Sequence, residues 1–185
     1  AGVQWLRDRM KFFKKAPETE KIIKSLNNNS DVYLVPAFTG LGAPYWDSNS
    51  RGVLSGLTRD TGPKEIIRAT IESVAYQTYD LFEAMKHDGL RPRLVKVDGG
   101  MVTNNWFSQF LSDVVNVGVL RPKVQETTAL GAAFMAGLQI GVYKSLKDIS
   151  KNWALDKKFS PKMENNNRTK LLNGWSKAIK RTLIS

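Results

Sequence analysis

The sequence predicts an α/β fold: helical and strand-like periodicities alternate along the chain, turn residues separate them, and a long amphipathic helix sits between short apolar runs. The elements bear this out in order. Trp5, Leu6, Met10 and Phe13 recur at helical spacing and place an opening helix over about residues 3–13. A second helix follows Pro17, carries Ile22, Ile23 and Leu26, and fades into a polar turn at 27–30. Residues 32–35 make a short strand stopped by Pro36, and 36–52, rich in Gly, Pro and aromatic residues, is a long structured loop. Strand-like 53–57 precedes the central helix, where Pro63 suits a first turn and Ile67, Ile71, Val74, Leu81 and Met85 step by three and four. After breaks at Gly89 and Pro92, residues 94–97 form a strand ending in Asp98, Gly99 and Gly100. A helix over 104–115, a strand over 118–120 and a small-residue helix over 128–139 continue the alternation. Polar helices beyond Ser145 should lay one stripe, Leu171, Leu172, Trp175, Ile179 and Leu183, on the body.

With 185 residues, 42% of them hydrophobic and 24% charged, the chain reads as one ordinary globular domain rather than a disordered segment. Its helical tail over 143–185 is basic: it holds eleven Lys and Arg against three Asp and Glu, while 1–142 holds seventeen against fourteen, so most of the net +11 belongs to the tail. No aromatic residues interleave with those cations in a base-stacking pattern, which places nucleic acid outside the expected partners. The absence of cysteine excludes disulfides and thiolate metal sites and is compatible with a reducing, cytoplasmic setting. His87 is the only histidine, so a His-based zinc site or Ser-His-Asp triad would need a second chain. The longest small-and-apolar run, 129–142, is too short to span a bilayer. The chain opens without Met in helix-like sequence, as if cut from something longer.

The stretch KVDGGMVTNNWFSQFLSD, 96–113, is the most informative one. A strand, two glycines and a helix start form the kind of junction where open α/β sheets bind ligands, because glycine admits a group close to the backbone and the helix offers free N–H groups. The same pattern is also a plain tight turn. Neither GxxxxGK[ST] nor GxGxxG is present to decide between them. Asn104 can cap the helix or present its amide to a ligand. Elsewhere, Tyr45, Trp46 and Asp47 read as a loop packing its aromatics on the surface, Arg51 and Arg59 as partners in surface ion pairs, Glu72 as a hydrogen-bonded structural acid and His87 as a solvated helix end.

Five motifs occur together and in order: VQWLRD (3–8), VPAFTGLGAPYWD (35–47), GVLSGLTRDTGPKEIIRATIE (52–72), VDGGMVTNN (97–105) and ETTALGAAFMAG (126–137). In them the chain resembles the FGGY family of carbohydrate kinases, and within it the members that phosphorylate glycerol. The resemblance covers essentially all of 1–185. It implies a ribonuclease-H-like C-terminal domain of the actin and hexokinase superfamily with extra C-terminal helices, an ATP-Mg²⁺ cleft, and transfer of the γ-phosphoryl group to glycerol in a cytoplasmic homo-oligomer. By residue, it implies that Gly100, Asn104 and Gln4 bind the adenine nucleotide. The catalytic base, glycerol-binding side chains, phosphate turn and metal ligands lie upstream in the family, so the resemblance implies no catalytic or metal residue in this chain and no turnover by it alone. Asp98 is the only acid adjoining the glycines in the sequence. Another FGGY kinase acting on a pentulose, or a non-catalytic adenine-nucleotide-binding module, stand as alternatives.

Overall fold

A computed structural model describes residues 1–26 and 31–183, so the turn expected at 27–30 lies outside the described residues. Its helices are α1 (Gly2–Asp8), α2 (Glu18–Lys24), α3 (Pro63–His87), α4 (Asn105–Val115), α5 (Thr127–Gln139), α6 (Leu146–Ser150) and α7 (Asn165–Leu183). The strands are β1 (Tyr33–Val35), β2 (Val53–Ser55), β3 (Leu94–Lys96), β4 (Gly118–Pro122) and β5 (Leu155–Phe159). β1 and β2 pair antiparallel, Tyr33 opposite Ser55. β3 runs parallel to β4, with Leu94 opposite Gly118, and β5 returns antiparallel on the other side of β4.

The 25-residue α3 is the spine. Pro63 occupies its first position, where a missing N–H costs nothing, and Glu65 reaches back to accept the Gly62 N–H at 2.8 Å. Ile67, Ile71, Ala75 and Tyr76 are buried along one stripe and form a single core with Phe107, Phe110, Leu111 and Val114 of α4, Tyr33 and Val35 of β1, and Leu171, Trp175, Ala178 and Ile179 of α7. Tyr76 stacks on Trp175 at 5.2 Å and meets Phe110 edge-on at 5.6 Å. Aromatic packing of this kind joins three elements distant in sequence. Glu72 is buried and accepts from Arg68 Nε at 2.6 Å and from Tyr76 Oη at 3.2 Å, the structural acid its apolar surroundings suggested.

Four local expectations are corrected. α1 stops at Asp8 rather than near residue 13, because Lys11 takes a left-handed φ of 58° and turns the chain; Phe13 is still buried, but Met10 is exposed. The tail is not all helical, since β5 completes the second sheet; only Phe159 of that strand is buried, so no apolar alternation announces it. Trp46 is 79% exposed instead of packed, while Tyr45 is partly buried against the core. Arg51 makes no ion pair among the described residues: its guanidinium donates to the carbonyls of Ser48, Asn49 and Ser50. The loop around it is held by Asp47, which accepts the N–H groups of Asn49 and Ser50 and the Ser50 hydroxyl at 2.6 Å.

Candidate functional site

The end of β3 leads into the two glycines, and each has its own reason to be glycine. Gly99 adopts φ +83°, a left-handed conformation that a side chain resists, and its N–H donates to Gln125 O at 3.0 Å, tying the turn to the segment between β4 and α5. Gly100 opens a short 3₁₀ turn, Gly100–Thr103, at an ordinary φ, and a Cβ built on it would meet nothing within 4 Å. The chain itself does not require glycine at 100. What its absent side chain leaves is open space.

That space belongs to a cavity of about 600 Å³, a size typical of small-molecule sites. α1 supplies Val3 and Gln4, the segment before α2 supplies Ala16 and Pro17, α2 supplies Thr19 and Glu20, α3 supplies Ile71, and the glycine turn supplies Gly100, Met101, Thr103 and Asn104. Gln4, Gly100 and Asn104, singled out from the sequence, therefore line one cavity although they lie about a hundred positions apart. α1 is pressed against α3 closely enough that a Cβ on Gly2 would sit 2.8 Å from Thr70 Cγ2, and this contact sets where Gln4 stands. Gln4 is exposed, and its side chain makes no hydrogen bond among the described residues.

Asn104 is the cap of α4: its Oδ1 accepts the Phe107 N–H at 3.0 Å. Its Nδ2 has only a 3.5 Å approach to Thr19 Oγ1, which itself donates to Ala16 O at 2.7 Å. One half of the amide is committed to the helix and the other is available to the cavity. Glu20 braces the same corner, accepting the Asn105 N–H at 3.2 Å and the Lys24 ammonium at 2.6 Å. Burial pushes its carboxyl up, but those hydrogen bonds outweigh it and hold the group below the ordinary glutamate range. Apolar Val3, Ile71 and Met101 face a rim of Gln4, Thr19, Glu20 and Asn104, an arrangement suited to a planar ligand with polar edges.

Two site readings change. Asp98 does not line the cavity; it accepts a hydrogen bond from Thr127 at the start of α5. The acid that does line it is Glu20, which sequence reasoning passed over because only the fold brings α2 beside Asn105, 85 positions away. Among the described residues no group of three or more His, Cys, Asp or Glu side chains converges to hold a metal ion, so no step through Mg²⁺ is assigned to these side chains. No helix among them is long and apolar enough to cross a membrane.

The profile of the FGGY family of carbohydrate kinases, C-terminal domain, matches residues 1–140. The chain belongs to this family. Among relatives of the FGGY domain, glycerol kinase 1 of Pseudomonas aeruginosa is 54% identical over 181 residues, 98% of this chain and 37% of that protein. The glycerol kinase of Ectopseudomonas mendocina is 53% identical over 182 residues, again 98% and 37%. The chain thus spans 37% of the length of these relatives. The crystal structure of Plasmodium falciparum glycerol kinase with ADP superposes on the whole of this chain at a TM-score of 0.85 and 36% identity, over 37% of its own chain. Ligand-bound xylulose kinase from Lactobacillus acidophilus does so at 0.79 and 25%, over 38% of its chain. The mixed α/β fold expected from the sequence is therefore the FGGY kinase C-terminal fold.

Proposed function

We propose that residues 1–185 form the nucleotide-side, C-terminal domain of a glycerol kinase, with 143–185 packed on the same body. The observation that carries the reading is the cavity that gathers Gln4, Gly100 and Asn104. It is supported by 54% identity to a glycerol kinase against 25% to a xylulose kinase, and by the solved relative that held ADP.

In this reading the cavity holds the adenosine end of ATP. Val3, Ile71 and Met101 give a planar base an apolar bed, the amide hydrogen of Asn104 not given to Thr19 and the side-chain amide of Gln4 meet its polar edges, and Gly100 lets the nucleotide lie against the backbone. Bound ATP supplies the γ-phosphoryl group: a glycerol hydroxyl oxygen bonds to that phosphorus, the bond from the phosphorus to the β–γ bridging oxygen breaks with its electron pair left on ADP, and the hydroxyl proton passes to solvent, giving sn-glycerol 3-phosphate and ADP. Phosphoryl transfer depends on positioning, and positioning the nucleotide is what these side chains contribute. No general base is assigned here. The same reading makes the enzyme a cytoplasmic homo-oligomer.

Turnover of the full-length protein with ATP and either glycerol or xylulose tests it. Preferential phosphorylation of glycerol is expected. Preference for xylulose would move the protein to a pentulose kinase, and nucleotide binding without turnover of either would leave only a binding module.

A further inference from the structure

A second cavity, of about 630 Å³, lies between α7 and the β1–β2 pair and shares no lining residue with the first. One wall is the stripe Lys170, Gly174, Lys177 and Arg181, spaced by four, three and four on α7, which places the outer cations about 16 Å apart along the helix axis. Gly174 lets the helix close on β1: a Cβ there would meet Tyr33 Oη at 2.1 Å.

Tyr33 is the telling residue. It is only 6% exposed, yet its hydroxyl makes no hydrogen bond among the described residues, and the cavity reaches it. That hydroxyl opens into the groove, where only solvent or a ligand can meet it, and phenylalanine would serve its ring contact with Tyr76 at 5.8 Å equally well. Burial, followed by the charges of Glu72 and Asp31, pushes the phenol up to about 12, so near neutral pH it remains a donor. The surrounding charge points the same way. Lys177 and Arg181 have no ion-pair partner among the described residues, and Lys170 has only an exposed 3.5 Å approach to Asp31, the one acid in the lining.

We infer that this groove binds the phosphate group of a small phosphorylated molecule, with Tyr33 Oη donating from the floor, Lys177 beside it on α7, and Lys170 and Arg181 raising the positive potential towards the two ends of the groove. A donor-rich concavity with surplus cations suits a compact dianion. A nucleic-acid strand fits less well, because the lining presents no exposed aromatic face on which bases could stack. The inference goes beyond the nucleotide reading and does not depend on it.

Calorimetric titration of inorganic phosphate, and separately of pyrophosphate, into the full-length protein at low ionic strength tests it. Saturable one-site binding is expected. Tyr33→Phe should weaken it about tenfold, as for loss of a hydrogen bond to a charged group, without lowering the thermal midpoint, since the hydroxyl has no partner in the fold. Lys177→Ala combined with Arg181→Ala should weaken it by more. Absence of saturable binding, or unchanged affinity in Tyr33→Phe, would overturn the site. Affinity that survives in both variants would move the phosphate to the nucleotide side of the molecule. A short single-stranded oligonucleotide binding through the same cations where free phosphate does not would replace the proposal with a nucleic-acid surface.

Discussion

Asn104 spends the two atoms of its amide on different tasks, and substitutions can separate them. Asn104→Asp keeps an acceptor for the Phe107 N–H and removes the donor beside the cavity. In the full-length protein it should weaken ATP binding about two- to tenfold, the worth of one net hydrogen bond of about 0.5–1.5 kcal/mol, while the thermal midpoint holds. Asn104→Ala removes the cap as well and should also cost about 1 kcal/mol of stability. ATP titrations and thermal melts on both variants decide this, and wild-type ATP affinity in the Asp variant would refute the contact. The adjacent glycines should behave oppositely. A Cβ at position 100 has no neighbour within 4 Å, so Gly100→Val should fold and lower ATP affinity further than either Asn104 variant; Gly99→Ala forces a side chain into φ +83° and should cost about 1–2 kcal/mol of stability. Gly100 and Asn104 were legible in the sequence because one short turn holds both. Gln4 was recoverable only through family resemblance, and Thr19 and Glu20 not at all, since nothing near them in the sequence signals their approach to Asn104.

At the scale of elements, α7 is bound to the body through Trp175, which is 1% exposed, stacks on Tyr76 and donates from Nε1 to Asp80 Oδ2 at 2.8 Å. Trp175→Ala should destabilise by about 3–5 kcal/mol, and Trp175→Phe by about 1–2 kcal/mol because it keeps most of the ring but leaves the Asp80 carboxylate with Tyr45 as its remaining side-chain donor. Denaturant melts would measure both, and a loss under about 1 kcal/mol in Trp175→Ala would show α7 to be peripheral. α3 carries its own pH signature. Burial raises the Glu72 carboxyl, with Arg68 opposing, so the native state holds that proton more tightly than the unfolded chain. Stability should therefore decline as pH climbs from the unfolded glutamate value of about 4.3 toward the raised native one, then level off. Glu72→Gln should flatten that decline in a comparison of denaturant midpoints against pH; parallel profiles would sink the idea. α3, α4 and α7 could be read in advance because their apolar residues recur with the helical period over two turns or more. β5 and the end of α1 could not: LDKKF buries one residue and pairs through its backbone, and the break after Asp8 rests on Lys11 adopting a conformation its side chain does not advertise.

At the scale of the whole molecule, the first cavity is assembled from parts of the chain that touch only in the folded state. α1, the start of α2, one position of α3 and the turn at 100–104 each contribute a wall, so a ligand there bridges segments with no covalent reason to stay together. Binding to the native state alone stabilises it by mass action, about 2.7 kcal/mol at a hundredfold excess over Kd, and local openings that separate those walls should be suppressed together. ADP added to the full-length protein should thus slow hydrogen exchange in residues 2–8, 16–24 and 99–107 as one group. In α7 beyond residue 165, amides that exchange by local opening should keep their unliganded rates, because no residue of that helix lines the nucleotide cavity, while those that exchange only by global unfolding slow with the rest of the molecule. Asn104→Asp should reduce protection in all three segments in proportion to its lost affinity. Protection confined to 99–107 would reduce the site to a local turn contact, and slowing of the locally opening amides of 165–183 would place the nucleotide against Lys177 and Arg181, overturning the division of the molecule into a nucleotide cavity and a separate phosphate groove.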